Sequence, residues 1–244
     1  MNRTITFVSL GPGEPELITV KGLKTLQQAD QIFCPATLTP SGKQVSRAAN
    51  ILKALEIEEH KIRPFVLPMS KDRQKAIEAY DQLLVDAANS LREGKKVVIV
   101  AEGDAGFYTS IQYIYHQLEK EHIEVKRVPG IPAFIAAGAL RNVSSIAAGA
   151  TGGLHIVKQE ERLMVIPGTA TADELDQFIR QGYNLVIMKL SACIEAVHEC
   201  IRRHPETHFH YFENVGTEKE KYISDPEIIA QTNFPYFSLL IIQA

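Results

Sequence analysis

Apolar and polar positions follow two periods along the 244-residue chain. Short apolar runs of strand length alternate with longer stretches whose apolar residues recur at helical spacing. Residues 5–10 form the first run and end in Gly11-Pro12-Gly13; residues 16–29 then predict a helix and 31–34 a second strand. The clearest helix is 74–91, where Ile77, Tyr80, Leu84, Ala87, Ala88 and Leu91 share one stripe and Gly94 ends the pattern. Val97-Val98-Ile99-Val100-Ala101 follows without polar alternation, as in a parallel strand buried on both faces. Residues 111–118 read as a helix and 125–128 as a strand that breaks at Pro129-Gly130. A second series follows: strands at 163–166, 185–188, 209–212 and 237–242, with helices at 172–181 and 192–204. This order predicts an α/β protein of two α/β domains, 1–150 and 151–244, divided near the Gly-rich stretch 149–153 or the polar run 158–162. One pentapeptide, Ile135-Ala136-Ala137-Gly138-Ala139, recurs as Ile146-Ala147-Ala148-Gly149-Ala150. The offset of eleven would put both copies on one face of a single helix.

Composition narrows the class without naming a chemistry. With 45% hydrophobic and 23% charged residues the chain is long enough to bury a core without disulfides or metal. A formal net charge of −3 argues against general binding to a nucleic-acid backbone. No apolar run approaches the roughly 20 residues that span a bilayer, and the N-terminus lacks the apolar core of a signal peptide. Cys34, Cys193 and Cys200 make an odd count without a C-x-x-C pair, so they read as packing residues in a reducing, cytoplasmic protein.

Three Gly-rich turns follow predicted strands: Gly11-Pro12-Gly13, Gly103-Asp104-Ala105-Gly106 and Pro129-Gly130. Turns at the carboxyl ends of strands line the ligand crevice of an α/β sheet. The common nucleotide signatures fail. The first turn lacks the third glycine of G-x-G-x-x-G, and Pro12 and Pro15 have no N–H to donate. Ser41-Gly42-Lys43 lacks the upstream glycine of a phosphate loop. Glu14 and Glu16 would repel pyrophosphate and suit a neutral or cationic ligand. Glu102 and Asp104 leave open three readings: acid and base, ligands for a ribose or ammonium, or solvated loop charges. His204, His208 and His210 lack a fixed carboxylate partner, so no metal site is expected. Neither a G-x-S-x-G elbow nor a convincing Cys/His pair is present.

Residues 9–22, Ser-Leu-Gly-Pro-Gly-Glu-Pro-Glu-Leu-Ile-Thr-Val-Lys-Gly, resemble the opening signature of the tetrapyrrole (corrin/porphyrin) methylases. Glu102-Gly103-Asp104 with Phe107-Tyr108-Thr109-Ser110 resembles their second signature, and Val128-Pro129-Gly130-Ile131 their third. The likeness keeps the motif order over essentially the whole chain. Within the family, Leu67-Pro68-Met69-Ser70-Lys71-Asp72, Tyr108-Thr109-Ser110 and the ending Pro235-Tyr236-Phe237-Ser238-Leu239 resemble the branch that methylates C-20 of precorrin-2 or cobalt-factor II. The resemblance implies two α/β domains holding S-adenosylmethionine between them, usually in a homodimer, and a small-molecule tetrapyrrole substrate. It implies cofactor contacts at Pro12, Glu102, Gly103, Asp104, Thr109, Pro132, Ala133, Met188 and Gly216.

Methyl transfer from a sulfonium needs alignment in a dry cleft more than a protein nucleophile. If a side chain helps remove the proton, Asp104 or Tyr108 is expected to do so. The many carboxylates of a tetrapyrrole predict a basic rim, with Lys43, Arg47, Lys71 and Arg73 as candidates. The chain departs from the family pattern at several places. Ser9 and Glu14 stand where Gly and Asp are usual, and Ala105 where proline is usual. The second Ile-Ala-Ala-Gly-Ala copy looks like an insertion, which leaves Ser144 and Ser145 as alternatives to Pro132 and Ala133. Relatives acting on uroporphyrinogen carry an Asp after the second strand. Cys34-Pro35 stands there in this chain and argues against that substrate. Alternatives to the C-20 reading are action at another corrin position, on RNA or on a translation factor, or binding without turnover.

Overall fold

The computed structural model describes residues 3–39, 41–68, 73–139 and 154–244. They form two compact units, 1–132 and 133–244. The boundary expected at 150/151, the second pentapeptide copy and Ser144-Ser145 lie outside the described residues.

The first unit is built on a parallel sheet. Its strands are β1 (Thr4–Ser9), β2 (Gln31–Leu38), β3 (Gln44–Val45), β4 (Ile62–Val66), β5 (Val97–Ala101) and β6 (Glu124–Val128). The parallel order runs β4-β2-β5-β1-β6, and β3 adds an antiparallel rung to the far end of β2. The helices are α1 (Val20–Gln27), α2 (Arg47–Ala54), α3 (Arg73–Arg92) and α4 (Gln112–Lys120).

Successive side chains of a strand point to opposite faces, and here both faces are apolar. Ile5, Phe7, Val97 and Ile99 pack with Tyr80, Leu83, Ala87 and Leu91 of α3 and Ile114 and Leu118 of α4. Val8, Val98, Val100 and Ile32 pack with Leu26 of α1 and Ala48, Ile51 and Leu52 of α2. Burial on both faces explains the unbroken apolar run of β5, all five residues of which are buried.

Two predicted bounds shift for local reasons. The first helix begins at Val20 rather than 16, because Pro15–Leu17 form a separate 3-10 turn and Ile18 and Thr19 are extended. The Thr19 hydroxyl then caps α1 by accepting the Gly22 N–H at 3.0 Å. β2 runs on through Cys34-Pro35 to Leu38, so those residues lie inside the strand rather than after it. Pro35 is tolerated because the ladder to β5 covers only Gln31–Phe33, leaving no β5 partner for a missing N–H.

The second unit opens with α5 (Ala133–Ala137) and carries β7 (Arg162–Pro167), α6 (Ala172–Arg180), β8 (Tyr183–Met188), α7 (Ile194–Arg203), β9 (His208–Glu213), β10 (Lys221–Ile223), α8 (Pro226–Ile229) and β11 (Ser238–Gln243). Its sheet order is β10-β9-β11-β8-β7, with β7 and β8 parallel and the other neighbours antiparallel. Leu185, Ile187, Leu240, Ile242, Phe209 and Tyr211 form one core with Leu175 and Ile179 of α6 and Val197 and Ile201 of α7. A mixed α/β fold with two sheets is what the alternation of periods predicts.

Candidate functional site

In the first unit the carboxyl ends of β1, β5 and β6 are tied together by their own loops. The Leu10 N–H donates to the Ala101 carbonyl at 2.9 Å. Beyond it, Gly11 and Gly103 exchange N–H···O bonds of 3.1 and 2.7 Å. Their φ angles are +80° and +68°, a region that costs a side-chain-bearing residue about 1–2 kcal/mol. Gly130 is required for a different reason. A Cβ there would fall 2.5 Å from Ser9 Cβ and 2.9 Å from the Gly103 carbonyl oxygen.

Asp104 holds the third loop to the second. Its Oδ2 accepts the Gly130 N–H at 2.8 Å and its Oδ1 the Gly106 N–H at 2.8 Å. Ser9 makes the matching bond from the first strand. Fully buried, it donates to the Val128 carbonyl at 2.8 Å and accepts the Ala105 N–H at 2.9 Å. Sequence reading notes Ser9 only as a departure from the family pattern. The signal available was a hydroxyl at the last position of an otherwise apolar buried strand, which must find partners.

Glu102 faces the opposite way, toward α2. Its Oε2 lies 3.4 Å from Arg47 Nε, and the two side chains are 23% and 22% exposed. The same guanidinium reaches the Pro12 carbonyl, with Nη2 at 3.5 Å. Burial pushes the Glu102 carboxyl above its ordinary value, and Arg47 pulls it part of the way back. Cys34 belongs to this corner. Burial pushes its thiol up to about 11; nearby Ser46 lowers it somewhat and the Glu102 charge raises it further. The thiol is therefore neutral at ordinary pH and no substitute for a carboxylate base. Ser46 fixes the start of α2: its hydroxyl accepts the Ala49 N–H at 2.9 Å and donates to the Pro35 carbonyl at 2.6 Å.

The remaining expected residues are placed as follows. Pro12 is buried in the first loop. Tyr108 is 39% exposed, takes a φ of +47° and meets Phe107 edge to face at 4.6 Å. The Thr109 hydroxyl accepts the Ile111 N–H at 3.3 Å, and Ser110 hydrogen-bonds the Tyr80 hydroxyl. Lys43 is exposed in the turn before β3, Arg73 opens α3, and Lys71 is outside the described residues. Arg47 is thus engaged with the loops.

Pro132 ends the first unit, and Ala133 opens the second as the first residue of α5. Met188 ends β8, half-buried, and is followed by Lys189 at φ +63°, whose ammonium is held below its ordinary value by burial. Gly216, at φ +73°, donates its N–H to Glu220 Oε2 at 2.8 Å.

The expectation that the histidines lack a fixed carboxylate partner is corrected at His204. His204 Nε2 lies 2.9 Å from Asp176 Oδ1. His210 is held between the Tyr222 hydroxyl at 2.8 Å and Gln243 Oε1 at 3.2 Å. Among the described residues no group of three or more His, Cys, Asp or Glu side chains could hold a metal ion. No described helix is long and apolar enough to cross a membrane.

Chemically, the loops of the first unit are poor in donors. The N–H groups of Gly11, Gly103, Ala105, Gly106 and Gly130 all bond within the cluster. A phosphate needs such groups free. The Glu102 carboxyl beside them is paired with Arg47.

Comparison with known proteins points to one family. The chain is 28% identical over 243 residues to a precorrin-2 C(20)-methyltransferase of Sinorhizobium sp, covering 96% of this chain and 93% of that protein. It is 29% identical to the cobalt-precorrin-2 C(20)-methyltransferase of Salmonella typhimurium, over 78% of this chain and 74% of that one. Against the cobalamin biosynthesis protein CobIJ of Mycobacterium tuberculosis it is 28% identical over 98% of its own length, but it spans only 46% of that relative. Among solved structures, a cobalt precorrin-4 methyltransferase superposes with a TM-score of 0.68 at 19% identity, covering 99% and 95% of the two chains. A uroporphyrin-III C-methyl transferase of Thermus thermophilus, complexed with S-adenosylhomocysteine, gives 0.66 at 18% identity, covering 98% and 97%. These two establish a shared fold. The family model for tetrapyrrole (corrin/porphyrin) methylases matches residues 4–227, spanning the three tied loops of the first unit and β7 to β10 of the second, and the chain belongs to that family.

Proposed function

We propose that this chain is an S-adenosylmethionine-dependent methyltransferase that methylates C-20 of precorrin-2 or its cobalt form in corrin-ring synthesis. The observation that carries the reading is the nearly end-to-end likeness to the Sinorhizobium precorrin-2 C(20)-methyltransferase. The loop N–H groups bonded within the cluster support it, because a phosphate would need them free. The solved relative that carries S-adenosylhomocysteine supports the choice of cofactor.

When bound, the cofactor supplies an activated methyl group on a good leaving group. The protein's part is to hold and orient. We assign the cofactor contacts to Pro12, Glu102, Gly103, Asp104 and Thr109 of the first unit, to Pro132 and Ala133 after the third turn, and to Met188 and Gly216 of the second unit. Both Asp104 oxygens accept loop N–H groups, so Asp104 positions the loops rather than taking a proton. Loss of the C-20 proton needs only a weak base such as water, and the exposed Tyr108 is the side chain assigned to order it. A basic rim for the substrate carboxylates is assigned to Lys43, Lys71 and Arg73. A homodimer working in the cytoplasm belongs to the same reading and rests on the family resemblance.

The test is a single-turnover incubation with methyl-labelled cofactor. Precorrin-2, or its cobalt form, is expected to gain one methyl by mass spectrometry, with the label at C-20 by carbon NMR. No gain on either tetrapyrrole, or a label at another carbon, overturns the assignment.

A further inference from the structure

We propose that Arg47 is a positioning residue for the cofactor loops: its guanidinium joins the Glu102 carboxylate of the β5 loop to the Pro12 carbonyl of the β1 loop and fixes both for ligand binding. This takes Arg47 out of the basic rim. It rests on the methyltransferase reading in treating these as the cofactor loops.

Arg47 is the first residue of α2, where a cation opposes the helix dipole. That placement needs a compensating anion, and Glu102 provides it from another element. The carboxylate needs the cation in turn, since a half-buried charge left unpaired is costly. Arg47 is also held from behind. Ser46 caps α2 and bonds to β2, while Ala48, Ile51 and Leu52 seat the helix in the core. The guanidinium therefore stands on a fixed base and reaches two loops at once, through Nε at 3.4 Å and Nη2 at 3.5 Å. A lysine ammonium, as a single point, cannot copy that fork.

The link is sensitive to protonation. Among the described residues, the ionisable groups that face Glu102 are Arg47 from α2 and Cys34 from β2. Burial pushes the Cys34 thiol up to about 11, so it is neutral where carboxylates titrate. Burial raises the titration of Glu102, so the link is complete above that raised value and is lost as pH falls through it.

The experiment is calorimetric titration of the full chain with S-adenosylhomocysteine between pH 5 and 8, for wild type, R47A, R47K, E102Q and R47A/E102Q. Circular dichroism monitors folding, and R47Q replaces R47A if the latter does not fold. At pH 7.5, R47A and E102Q are each expected to weaken binding about tenfold, with the double variant no weaker than the worse single one. R47K is expected to recover only part of the loss. Wild-type affinity should fall at the acid end while E102Q stays flat. The KM for precorrin-2 should stay within about threefold of wild type in R47A. Wild-type affinity in R47A, or additive losses in the double variant, would overturn the proposal. So would a tenfold rise in tetrapyrrole KM with cofactor binding unchanged, which would return Arg47 to the rim. If wild type itself binds no S-adenosylhomocysteine, the methyltransferase reading falls first and the proposal with it.

Discussion

Glu102 and Asp104 stand two residues apart on one loop, and the fold separates their roles. Asp104 receives two backbone N–H groups and behaves as part of the loop framework; Glu102 keeps a side-chain partner and a raised titration. Sequence alone marks both as candidates, because spacing puts carboxylates at the end of a strand without saying which way each turns. A residue-level prediction separates framework from base. Asp104→Asn replaces one acceptor oxygen by a donor amide, which must face an N–H of Gly106 or Gly130. Hydrogen bonds to a charged group contribute roughly 1.5–3 kcal/mol. D104N is therefore expected to lower the melting temperature and to weaken S-adenosylhomocysteine binding at least tenfold, as read by calorimetry. If Asp104 acted only as a proton acceptor, D104N would bind the product at wild-type strength and lose only turnover. Ser9 shows the limit of reading residues one at a time. Its hydroxyl is legible as a departure from a pattern, but its partners Val128, Ala105 and Asp104 lie 119, 96 and 95 residues away. No local rule brings them together.

The longer elements were legible because each carries a full period of apolar positions. β5 and α3 fall within a residue of their expected bounds, and the strands and helices of the second unit do nearly as well. The elements without a legible period are short: α2, β4, β3, β10 and α8. Eight residues give α2 two turns, too few for a stripe to stand out, although Ser46 was available as an N-cap signal. The base on which Arg47 stands is thus not legible from periodicity. The cap therefore makes a prediction about the element. Ser46→Ala removes the acceptor for the Ala49 N–H and the donor to Pro35. Losing an N-cap costs about 1 kcal/mol, up to about 2 where further bonds go with it. In a chain of this size that lowers Tm by roughly 2–4 °C per kcal/mol. Because α2 carries Arg47, S46A should also weaken S-adenosylhomocysteine binding, by less than R47A does. A drop in Tm with cofactor affinity untouched would detach the helix start from the loops.

At the scale of the molecule, the composition describes an ordinary folded chain, and the structure gives that ordinariness a specific meaning. A net charge of −3 leaves no surplus of cations, and Arg47 is committed to Glu102. Binding of a polycarboxylate then depends on a few local cations rather than on a general field. The three cysteines carry the same lesson across both units. The odd count and the spacing predict packing residues, and each thiol is buried: Cys34 in the first unit, Cys193 and Cys200 in the second. Burial pushes the first two up to about 11 and Cys200 up to about 12. Only a thiolate attacks a disulfide reagent at an appreciable rate, and burial withholds both the thiolate and access to it. Native protein at pH 8 is therefore expected to release almost no thionitrobenzoate from Ellman's reagent over minutes, and three equivalents per chain once denatured in guanidinium. A fast single equivalent from the native protein would place one thiol at an accessible, electropositive position. If C34A abolished that equivalent, the corner formed by Cys34, Ser46, Arg47 and Glu102 would have to be open to solvent. The Glu102 carboxylate would then lose the burial that raises its titration, and with it the acid sensitivity expected of the loop link.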